Sequence, residues 1–410
     1  MLMRAGGWKL SSVIAALCMV MKLSGYGAEG DGDWPRWRGP NADGISKENT
    51  LNPAALAGGA KFVWKAKVGV GFSSVVVKGD LAYALGNTND QDTVYCLRVK
   101  DGSEEWKFSY ASKAEKQYPG PRASPTLDGN EVYTFSRHGV VLCLDAAKGT
   151  KKWEKNIAAE YKLPNIDWAF SSSPVIDGES LFLNAGKQGV ALNKKDGSKI
   201  WVSGQAKGGY ATIVPYVQDG KKSLAVFGYK AIFGVDPATG VEQWSMPWET
   251  KYDVNAADPV FSAGKMFLSS GYGRPCALLD LTGGKPVVAW TNNTIRSQFS
   301  GVVLFDGYLY GIDGGIGAQC PLVCVKWDSG EEKWRQKLGY GSLIVIGGNI
   351  VFLTENGDLH IIEAAPAAYK EISSAKGVMP KVCWGPPAYS RGKLYCRSSE
   401  GTVACIDVGK

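Results

Sequence analysis

The hexapeptide Asp101-Gly102-Ser103-Glu104-Glu105-Trp106 ends a pattern that recurs along this chain: an apolar run, a turn, a second apolar run, a Gly turn and Trp. Its Gly-to-Trp end returns at Lys148–Trp153, Asp196–Trp201, Thr239–Trp244, Gly283–Trp290 and Ser329–Trp334. Successive Trp residues are 47, 48, 43, 46 and 44 positions apart. A period of this size indicates a propeller or a solenoid built from one repeated unit.

Each unit divides into four short runs with the character of β-strands. In the second unit the runs are 123–127, 131–136, 140–145 and 151–155. Alternating apolar and polar residues, joined by short turns that contain Gly, predict antiparallel hairpins. Four strands in about 45 residues make one blade of a β-propeller, so the fold class is predicted to be all-β.

The count of units predicts an eight-bladed ring. Units begin near Ser73, Arg122, Ser171, Tyr210, Asn255, Ser300, Tyr340 and Trp384. The last unit ends at Asp407 without a Trp strand, whereas Lys61–Ala66 is a Trp strand that lacks the three strands expected before it. We therefore predict four-stranded antiparallel blades in a ring that the N-terminal strand closes, which removes an open sheet edge. The seventh unit has no Trp and carries an insertion, Glu363–Tyr369, so a seven-bladed ring is the alternative.

The N-terminal region predicts export. Residues 1–28 have a basic start and a twelve-residue apolar run, Leu10–Met21, followed by small residues, as in a cleaved signal peptide. Twelve residues are too few to cross a bilayer as a helix, so no transmembrane span is expected. Leu17 is a poor residue before a lipidated Cys18, which argues against a lipoprotein anchor. We predict a periplasmic or secreted protein, with an N-terminal extension at 29–60 and the propeller at 61–410.

Eight cysteines follow the signal peptide, and their positions argue against most disulfides. Four occupy one slot of the repeat that Ala, Gly, Leu or Ile fills elsewhere: Cys96, Cys143, Cys324 and Cys405. Such a slot is a buried packing site, where free Cys behaves as a small hydrophobic residue. Cys383 and Cys396 lie on neighbouring predicted strands and are the best candidates for a disulfide in an exported protein.

Charge and histidine content exclude several function classes. The formal net charge is +7, but no basic run is long enough to indicate nucleic-acid binding. The chain has two histidines, His138 and His360, which gives little material for a histidine metal cluster or a Ser-His-Asp arrangement. No catalytic or metal-binding residue is singled out on this basis.

One set of positions is a candidate binding site: the residue just before each innermost strand. These positions are Phe72, Arg122, Phe170, Tyr210, Asn255, Gln298, Tyr340 and Trp384. In a propeller they surround the mouth of the central channel, where aromatic and polar side chains would form a funnel. The predicted ligand-binding residues are Arg122, Tyr210, Asn255, Arg274, Gln298 and Trp384. Arg122 is suited to hold an anionic group in a bidentate manner. The alternative is that these side chains merely fill the channel.

The residues Leu144-Asp145, Lys148-Gly149 and Trp153 together resemble the pyrroloquinoline-quinone repeat. That repeat is shared by quinoprotein alcohol dehydrogenases and by the β-propeller lipoprotein of the bacterial outer-membrane assembly machine. Within this quinoprotein-like family the chain most resembles secreted propellers of the outer-membrane-assembly type. The resemblance implies that each repeat Trp packs between adjacent blades and touches no ligand.

The resemblance also implies which residues a catalytic member of the family would need. A quinoprotein dehydrogenase of this family would need an adjacent Cys pair, and Glu, Asn and Asp ligands around calcium and the quinone. This chain has no adjacent cysteines and no Cys-x-x-Cys-His haem motif. We therefore expect no cofactor and a monomeric, exported, non-catalytic binding or scaffold protein. Its partner would be an envelope protein, in outer-membrane protein assembly for example, or a small ligand. The alternative is a pyrroloquinoline-quinone-dependent oxidoreductase, or another enzyme that uses the channel mouth.

Overall fold

Eight antiparallel sheets make up the computed structural model, which describes residues 32–410. The predicted signal peptide 1–28, with Cys18, lies outside the described residues. Two strands come before the repeats: β1 (Ile45–Ser46) and β2 (Lys61–Lys67). Each of the first seven repeats then contributes four consecutive strands to a blade. A single short helix, α1 (Ile157–Tyr161), connects blades 2 and 3 among these residues.

Blades 1 to 4 contain β3 (Val76–Lys78), β4 (Leu81–Thr88), β5 (Gln91–Arg98), β6 (Glu104–Ala111); β7 (Thr126–Asp128), β8 (Glu131–Phe135), β9 (Val140–Asp145), β10 (Lys151–Asn156); β11 (Val175–Asp177), β12 (Ser180–Leu183), β13 (Val190–Asn193), β14 (Lys199–Val202); and β15 (Val214–Gln218), β16 (Lys221–Phe227), β17 (Ala231–Val235), β18 (Glu242–Pro247). First strands of neighbouring blades contact each other, as β3 does with β7 and β31, which places them around the central axis.

Blades 5 to 8 contain β19 (Val260–Ser262), β20 (Lys265–Leu268), β21 (Cys276–Asp280), β22 (Val287–Asn292); β23 (Val303–Phe305), β24 (Tyr308–Ile312), β25 (Pro321–Lys326), β26 (Glu332–Lys337); β27 (Gly341–Ile346), β28 (Asn349–Thr354), β29 (Leu359–Glu363), β30 (Glu371–Ala375); and β31 (Ala388–Ser390), β32 (Lys393–Arg397), β33 (Thr402–Asp407). β2 completes blade 8 by pairing with β33, from Lys61 opposite Asp407 to Lys67 opposite Thr402. The predicted eight-bladed ring and its closure are confirmed, and the seven-bladed alternative is wrong.

Burial within a blade follows the sequence pattern. The middle strands β8 and β9 are buried along nearly their whole length, because neighbouring blades cover both faces. The outer strand β10 alternates between exposed Lys or Glu and half-buried residues such as Trp153. Charged side chains on this outermost strand protect an edge whose backbone groups have no partner strand.

Trp residues of the outer strands join each blade to the next, as the resemblance implied. Six of them donate from the indole Nε1 to a backbone carbonyl of the following blade at 2.8–2.9 Å: Trp64 to Val99, Trp106 to Ala146, Trp153 to Lys194, Trp201 to Pro237, Trp290 to Trp327 and Trp334 to Ala365. Trp244 differs, since it donates to the Tyr216 hydroxyl of its own blade. The Trp64 contact links blade 8 to blade 1, and Trp64 lies on β2, the strand that closes the ring by pairing with β33.

In five of the six Trp-bearing turns the Gly lies against the indole of the preceding blade; the exception is the turn of blade 5. At Gly149 the backbone φ is +69°, and an added Cβ would come within 2.5 Å of the Trp106 ring. Gly178 has a similar φ of +61° but faces open space. Gly149→Ala is therefore expected to destabilise the protein by about 1–3 kcal/mol more than Gly178→Ala, because only Gly149→Ala overpacks the contact between blades 1 and 2. Urea denaturation of both variants measures the difference, and equal midpoints would contradict this account of the turn.

All eight cysteines of the described chain are free and buried, so the candidate disulfide between Cys383 and Cys396 is not formed. The Cys383 thiol donates instead to the Pro380 carbonyl at 3.2 Å. Burial raises the pKa of the Cys383 thiol to about 12. The four cysteines in the repeat slot are free thiols in the blade core, as predicted.

The N-terminal segment, residues 32–60, packs across the centre of the ring. Trp34 pairs with Val77 of the first strand of blade 1, and the Pro35 carbonyl accepts from the backbone N–H of Leu127 in blade 2. Farther along, β1 pairs in parallel with β27, the first strand of blade 7. Because first strands surround the axis, a segment that touches those of blades 1, 2 and 7 must cross the central channel.

The same segment also packs against blade 7, the blade whose outer strand lacks a Trp. In blade 7 the register places Ser373 opposite Ile361, the pairing that Trp153 makes with Cys143 in blade 2. The Ser373 hydroxyl donates to the carbonyl of Pro53, and Leu56 is fully buried in the core cluster that contains Ile361. Residues 53–56 therefore fill the space that an indole occupies between other blades.

Candidate functional site

A series of hydrogen bonds links blades 1 to 5 around part of the channel. Each bond joins residues that lie two positions before the first strand of their blade. The backbone N–H of one blade donates to a side-chain oxygen of the next: Ser74 to Ser124 (2.8 Å), Ser124 to Ser173 (3.0 Å), Ser173 to Thr212 (3.1 Å) and Thr212 to Asp258 (2.8 Å). Blade 5 thus has a carboxylate where the four preceding blades have a hydroxyl. These hydrogen bonds hold the first strands of neighbouring blades at a fixed spacing around the channel and support the residues at its mouth.

A cavity of about 210 Å³ opens at this end of the channel. Eight of its eighteen lining residues are aromatic: Trp37, Phe72, Tyr118, Trp168, Tyr210, Tyr272, Phe299 and Trp384. Seven of these come from the loops that lead into first strands or from neighbouring loops, and Trp37 comes from the N-terminal segment. The wall is therefore contributed by many blades, and it is predominantly apolar.

Trp384 connects the aromatic side chains of the wall. Its ring stacks on Phe72 with centroids 4.8 Å apart and an interplanar angle of 21°. Phe299 and Tyr118 approach the same indole at 5.2 and 5.3 Å, and Tyr118 also meets Trp168 edge-on at 5.7 Å. Mutual packing of this kind restricts the rotamers of each ring, so the rings form a preorganised surface.

The N-terminal segment supplies the floor of the cavity. Trp37 donates from Nε1 to Oδ2 of Asp258 at 2.6 Å, and Arg38 forms an ion pair with the same oxygen at 3.8 Å. Arg38 also donates to the Val302 carbonyl of blade 6. Burial raises the pKa of Asp258 and lowers the pKa of Arg38, and each charge partly offsets the cost to the other. This contact closes the channel below the cavity, which is therefore blind.

Arg122 is the one basic residue of the wall. Its Nη2 donates to the Tyr118 carbonyl at 3.1 Å, but its buried Nη1 has no hydrogen-bond partner among residues 32–410. Burial and the nearby Arg137 lower the pKa of Arg122 to about 10, which leaves the guanidinium charged at neutral pH. As a charged, planar group in the cavity wall, the Arg122 guanidinium is suited to attract an anionic group on a bound molecule.

The structure brings together four of the six predicted site residues. Arg122, Tyr210, Gln298 and Trp384 line the cavity. Gln298 is held from both sides, since Nε2 donates to the Tyr272 hydroxyl at 3.0 Å and Oε1 accepts from the backbone of Ile316 at 2.9 Å. Ligand binding by these residues remains a prediction.

The other predicted positions lie outside the cavity wall. Asn255 is fully buried, and its amide donates to the carbonyls of Gly228, Tyr229 and Trp248. The Arg274 guanidinium stacks over the Trp248 ring, 4.5 Å from its centroid. Two further residues of the mouth set, Phe170 and Tyr340, are completely buried in the core.

Sequence reasoning missed Trp37 and Asp258. Asp258 precedes a first strand by two residues, the slot filled by Ser or Thr in blades 1 to 4, so the one acidic residue in that slot was a usable signal. Trp37 lies in the segment Trp34–Asn41, which is outside the repeat. Two Trp and two Arg in an eight-residue segment were a hint of burial, but nothing in the period indicates which blade they meet.

Fold and site together define a closed eight-bladed propeller with a blind, aromatic-lined channel mouth. The chain belongs to the family of outer membrane protein assembly factor BamB, whose family model matches residues 47–165 and 115–336. A curated relative, the outer membrane protein assembly factor BamB of Yersinia pestis, is 21% identical over 319 residues, which cover 74% of this chain and 77% of that protein. The repeat resemblance is thereby confirmed.

Solved structures show the same fold. BamB from Moraxella catarrhalis has a TM-score of 0.63 and 17% sequence identity, covering 85% of this chain and 99% of that one. Quinohemoprotein alcohol dehydrogenase from Comamonas testosteroni has a TM-score of 0.66 and 13% identity, covering 92% of this chain and 81% of that one. At these identities the similarity establishes the propeller and carries no information on chemistry. Within residues 32–410, no helix has the length and apolarity that crossing a bilayer requires.

Proposed function

We propose that this chain is an exported, non-catalytic binding protein of the cell envelope that acts in outer-membrane protein assembly through its channel mouth. The observation that carries the proposal is the blind aromatic cavity, in which Arg122 is the one basic residue. Membership of the family of outer membrane protein assembly factor BamB supports the setting. Export and a periplasmic or secreted location rest on the predicted signal peptide.

The chemistry of the cavity wall supports binding over catalysis. None of its lining residues, all from the described chain, is His, Cys or Lys. Its one carboxylate, Asp258, already accepts from Trp37 and from the backbone of Thr212 and faces Arg38. A general base must be within hydrogen-bond reach of a proton that it abstracts, and this carboxylate is occupied by structural partners.

The wall also does not fit calcium and pyrroloquinoline quinone, the group on which the alternative function depends. Calcium takes six to eight oxygen ligands, commonly from several carboxylates. The cavity offers the single carboxylate of Asp258, and no group of three His, Cys, Asp or Glu side chains in the described residues is placed to hold a metal. We therefore derive no step through the quinone, and the donor set supports the non-catalytic proposal.

Affinity capture from an envelope fraction tests the proposal. Immobilised full-length protein is expected to enrich an envelope protein, and Trp168→Ser at the rim of the cavity is expected to abolish the enrichment. Ile200→Ser on the outer strand of blade 3 is the matched control, because Ile200 and Trp168 are similarly exposed, at 41% and 39%. No enrichment, or equal loss in both variants, would contradict the proposal. So would dye reduction after addition of pyrroloquinoline quinone and calcium.

A further inference from the structure

Two buried arginines outside the cavity lining, Arg137 and Arg397, add positive charge to that of Arg122 on the side of the cavity beside Phe72. Arg137 pairs with Glu115 at 3.0 Å, whereas Arg122 and Arg397 have no carboxylate of residues 32–410 within ion-pair distance. Arg397 donates instead to the backbone carbonyls of Ser73 and Gly69, on either side of Phe72. A buried charge without a counterion is unfavourable, so this side of the cavity favours an anion.

The electrostatic environment agrees with this assignment. Burial lowers the pKa of Arg397 to about 9, and the nearby Asp92 compensates only in part, since burial raises the pKa of Asp92 itself. Asp258, on the floor, is engaged by Arg38 and Trp37. Arg122 is thus the one basic group that a ligand in the cavity can meet. A charge-assisted hydrogen bond from Arg to a carboxylate is the strongest polar contact available there.

The size of the cavity limits the enclosed part of a ligand to one ring. An apolar cavity of about 150 Å³ holds benzene, and a water molecule takes about 30 Å³ of liquid volume. The 210 Å³ found here therefore hold one aromatic ring with a small polar group on a short linker. Sites that enclose larger ligands measure about 300–1,000 Å³, so several fused rings would not fit inside this cavity.

We propose that the channel mouth binds an aromatic ring that carries a carboxylate on a short chain, with the ring against Trp384 and Phe72 and the carboxylate on Arg122. This inference rests on the proposed function in using the same site, and it names the chemistry that the site recognises. Two sources supply that chemistry: a free aromatic acid, or an aromatic residue at the C-terminus of a polypeptide, whose ring and carboxylate are equally close.

Calorimetric titration of the full chain with four probes tests the assignment. The probes are 3-phenylpropanoate, its neutral amide, hexanoate, and the peptide Gly-Gly-Phe as free acid. The acid is expected to bind at least about tenfold more tightly than the amide, because only the carboxylate carries the negative charge that pairs with the Arg122 guanidinium. Hexanoate is expected to bind weakly, because it cannot stack on Trp384. Tighter binding of the peptide than of 3-phenylpropanoate assigns the polypeptide source, and weaker binding assigns the free acid.

Arg122→Gln is expected to remove the preference for acid over amide while the amide still binds. Arg274→Gln is the matched control and is expected to keep the preference, because Arg274 stacks on Trp248 outside the cavity. Arg122→Lys keeps the positive charge and is expected to keep part of the preference for acid over amide. Thermal unfolding reports whether each variant is folded.

Equal affinity for acid and amide in the unsubstituted protein would overturn the assignment, and so would hexanoate binding as tightly as the aromatic acid or no binding of any probe. If no probe binds but the capture experiment still enriches an envelope protein at the rim, the ligand assignment fails and the proposed function stands. If the aromatic acid binds but no envelope protein is enriched, the proposed function fails and the ligand assignment stands.

Discussion

Trp64→Ala is expected to lower the free energy of unfolding by about 3–5 kcal/mol, the usual cost of truncating a buried Trp. Trp64 is 7% exposed, its Nε1 donates to the Val99 carbonyl of blade 1 at 2.9 Å, and its ring lies on Gly102. These contacts join β2, the N-terminal strand that completes blade 8, to blade 1. Urea or thermal unfolding, followed by tryptophan fluorescence and circular dichroism, measures the loss.

Two comparisons make that result interpretable. Phe62→Ala, on the same strand but 39% exposed, is expected to cost less than about 1 kcal/mol. Trp106→Ala removes the equivalent indole between blades 1 and 2, from a blade whose four strands are consecutive in sequence. If Trp64→Ala were no more destabilising than Phe62→Ala, the seam between blades 8 and 1 would not depend on this indole.

Arg38→Met is expected to destabilise the protein by about 3–5 kcal/mol, because it leaves the Asp258 carboxylate buried without its cation. It also leaves the Val302 carbonyl without its donor. Since burial raises the pKa of Asp258, the folded state binds its proton more tightly than the unfolded state does. The deficit is therefore expected to shrink as the pH is lowered toward the ordinary pKa of a carboxyl group. Denaturation at several pH values measures both effects.

The double variant Arg38→Met with Asp258→Thr is the control for this second prediction. Thr is the residue at the same slot in blade 4, where Thr212 accepts the backbone hydrogen bond from Ser173 at 3.1 Å. Removing both charges is expected to recover most of the stability that the single change loses, because no unpaired ion remains. A double variant as unstable as Arg38→Met alone would show that the Val302 contact, and not the ion pair, dominates.

Periodicity predicted the blades because each one is a local structure. Strands β7 to β10 pair only with their neighbours in sequence, so alternation and turn residues within about 45 positions contain the information. Ring closure by Lys61–Lys67 was also predictable, since a Trp strand without its unit complements a unit without its Trp strand. The position that Cys96 and its equivalents share in the repeat was predicted to be buried for the same reason.

The site was harder to predict because its members obey no period. Arg122 and Trp384 were found since they occupy an equivalent position in their units, but Asn255 and Phe170 occupy that position too and turn into the core. Which way such a side chain points depends on the loop before it and on the space left by the next blade. Trp37, which forms the floor, belongs to no repeat.

The sequence by itself determined the number of blades, the strands in each and the way the ring closes, because repeated local patterns encode them. Tertiary structure alone decided that residues 34–46 cross the channel, that Leu56 and Pro53 fill the space of a missing Trp, and that Arg38 meets Asp258. Those contacts join residues more than two hundred positions apart and depend on the shape of the assembled ring. A blind aromatic channel mouth is therefore a property of the closed propeller and of no single repeat.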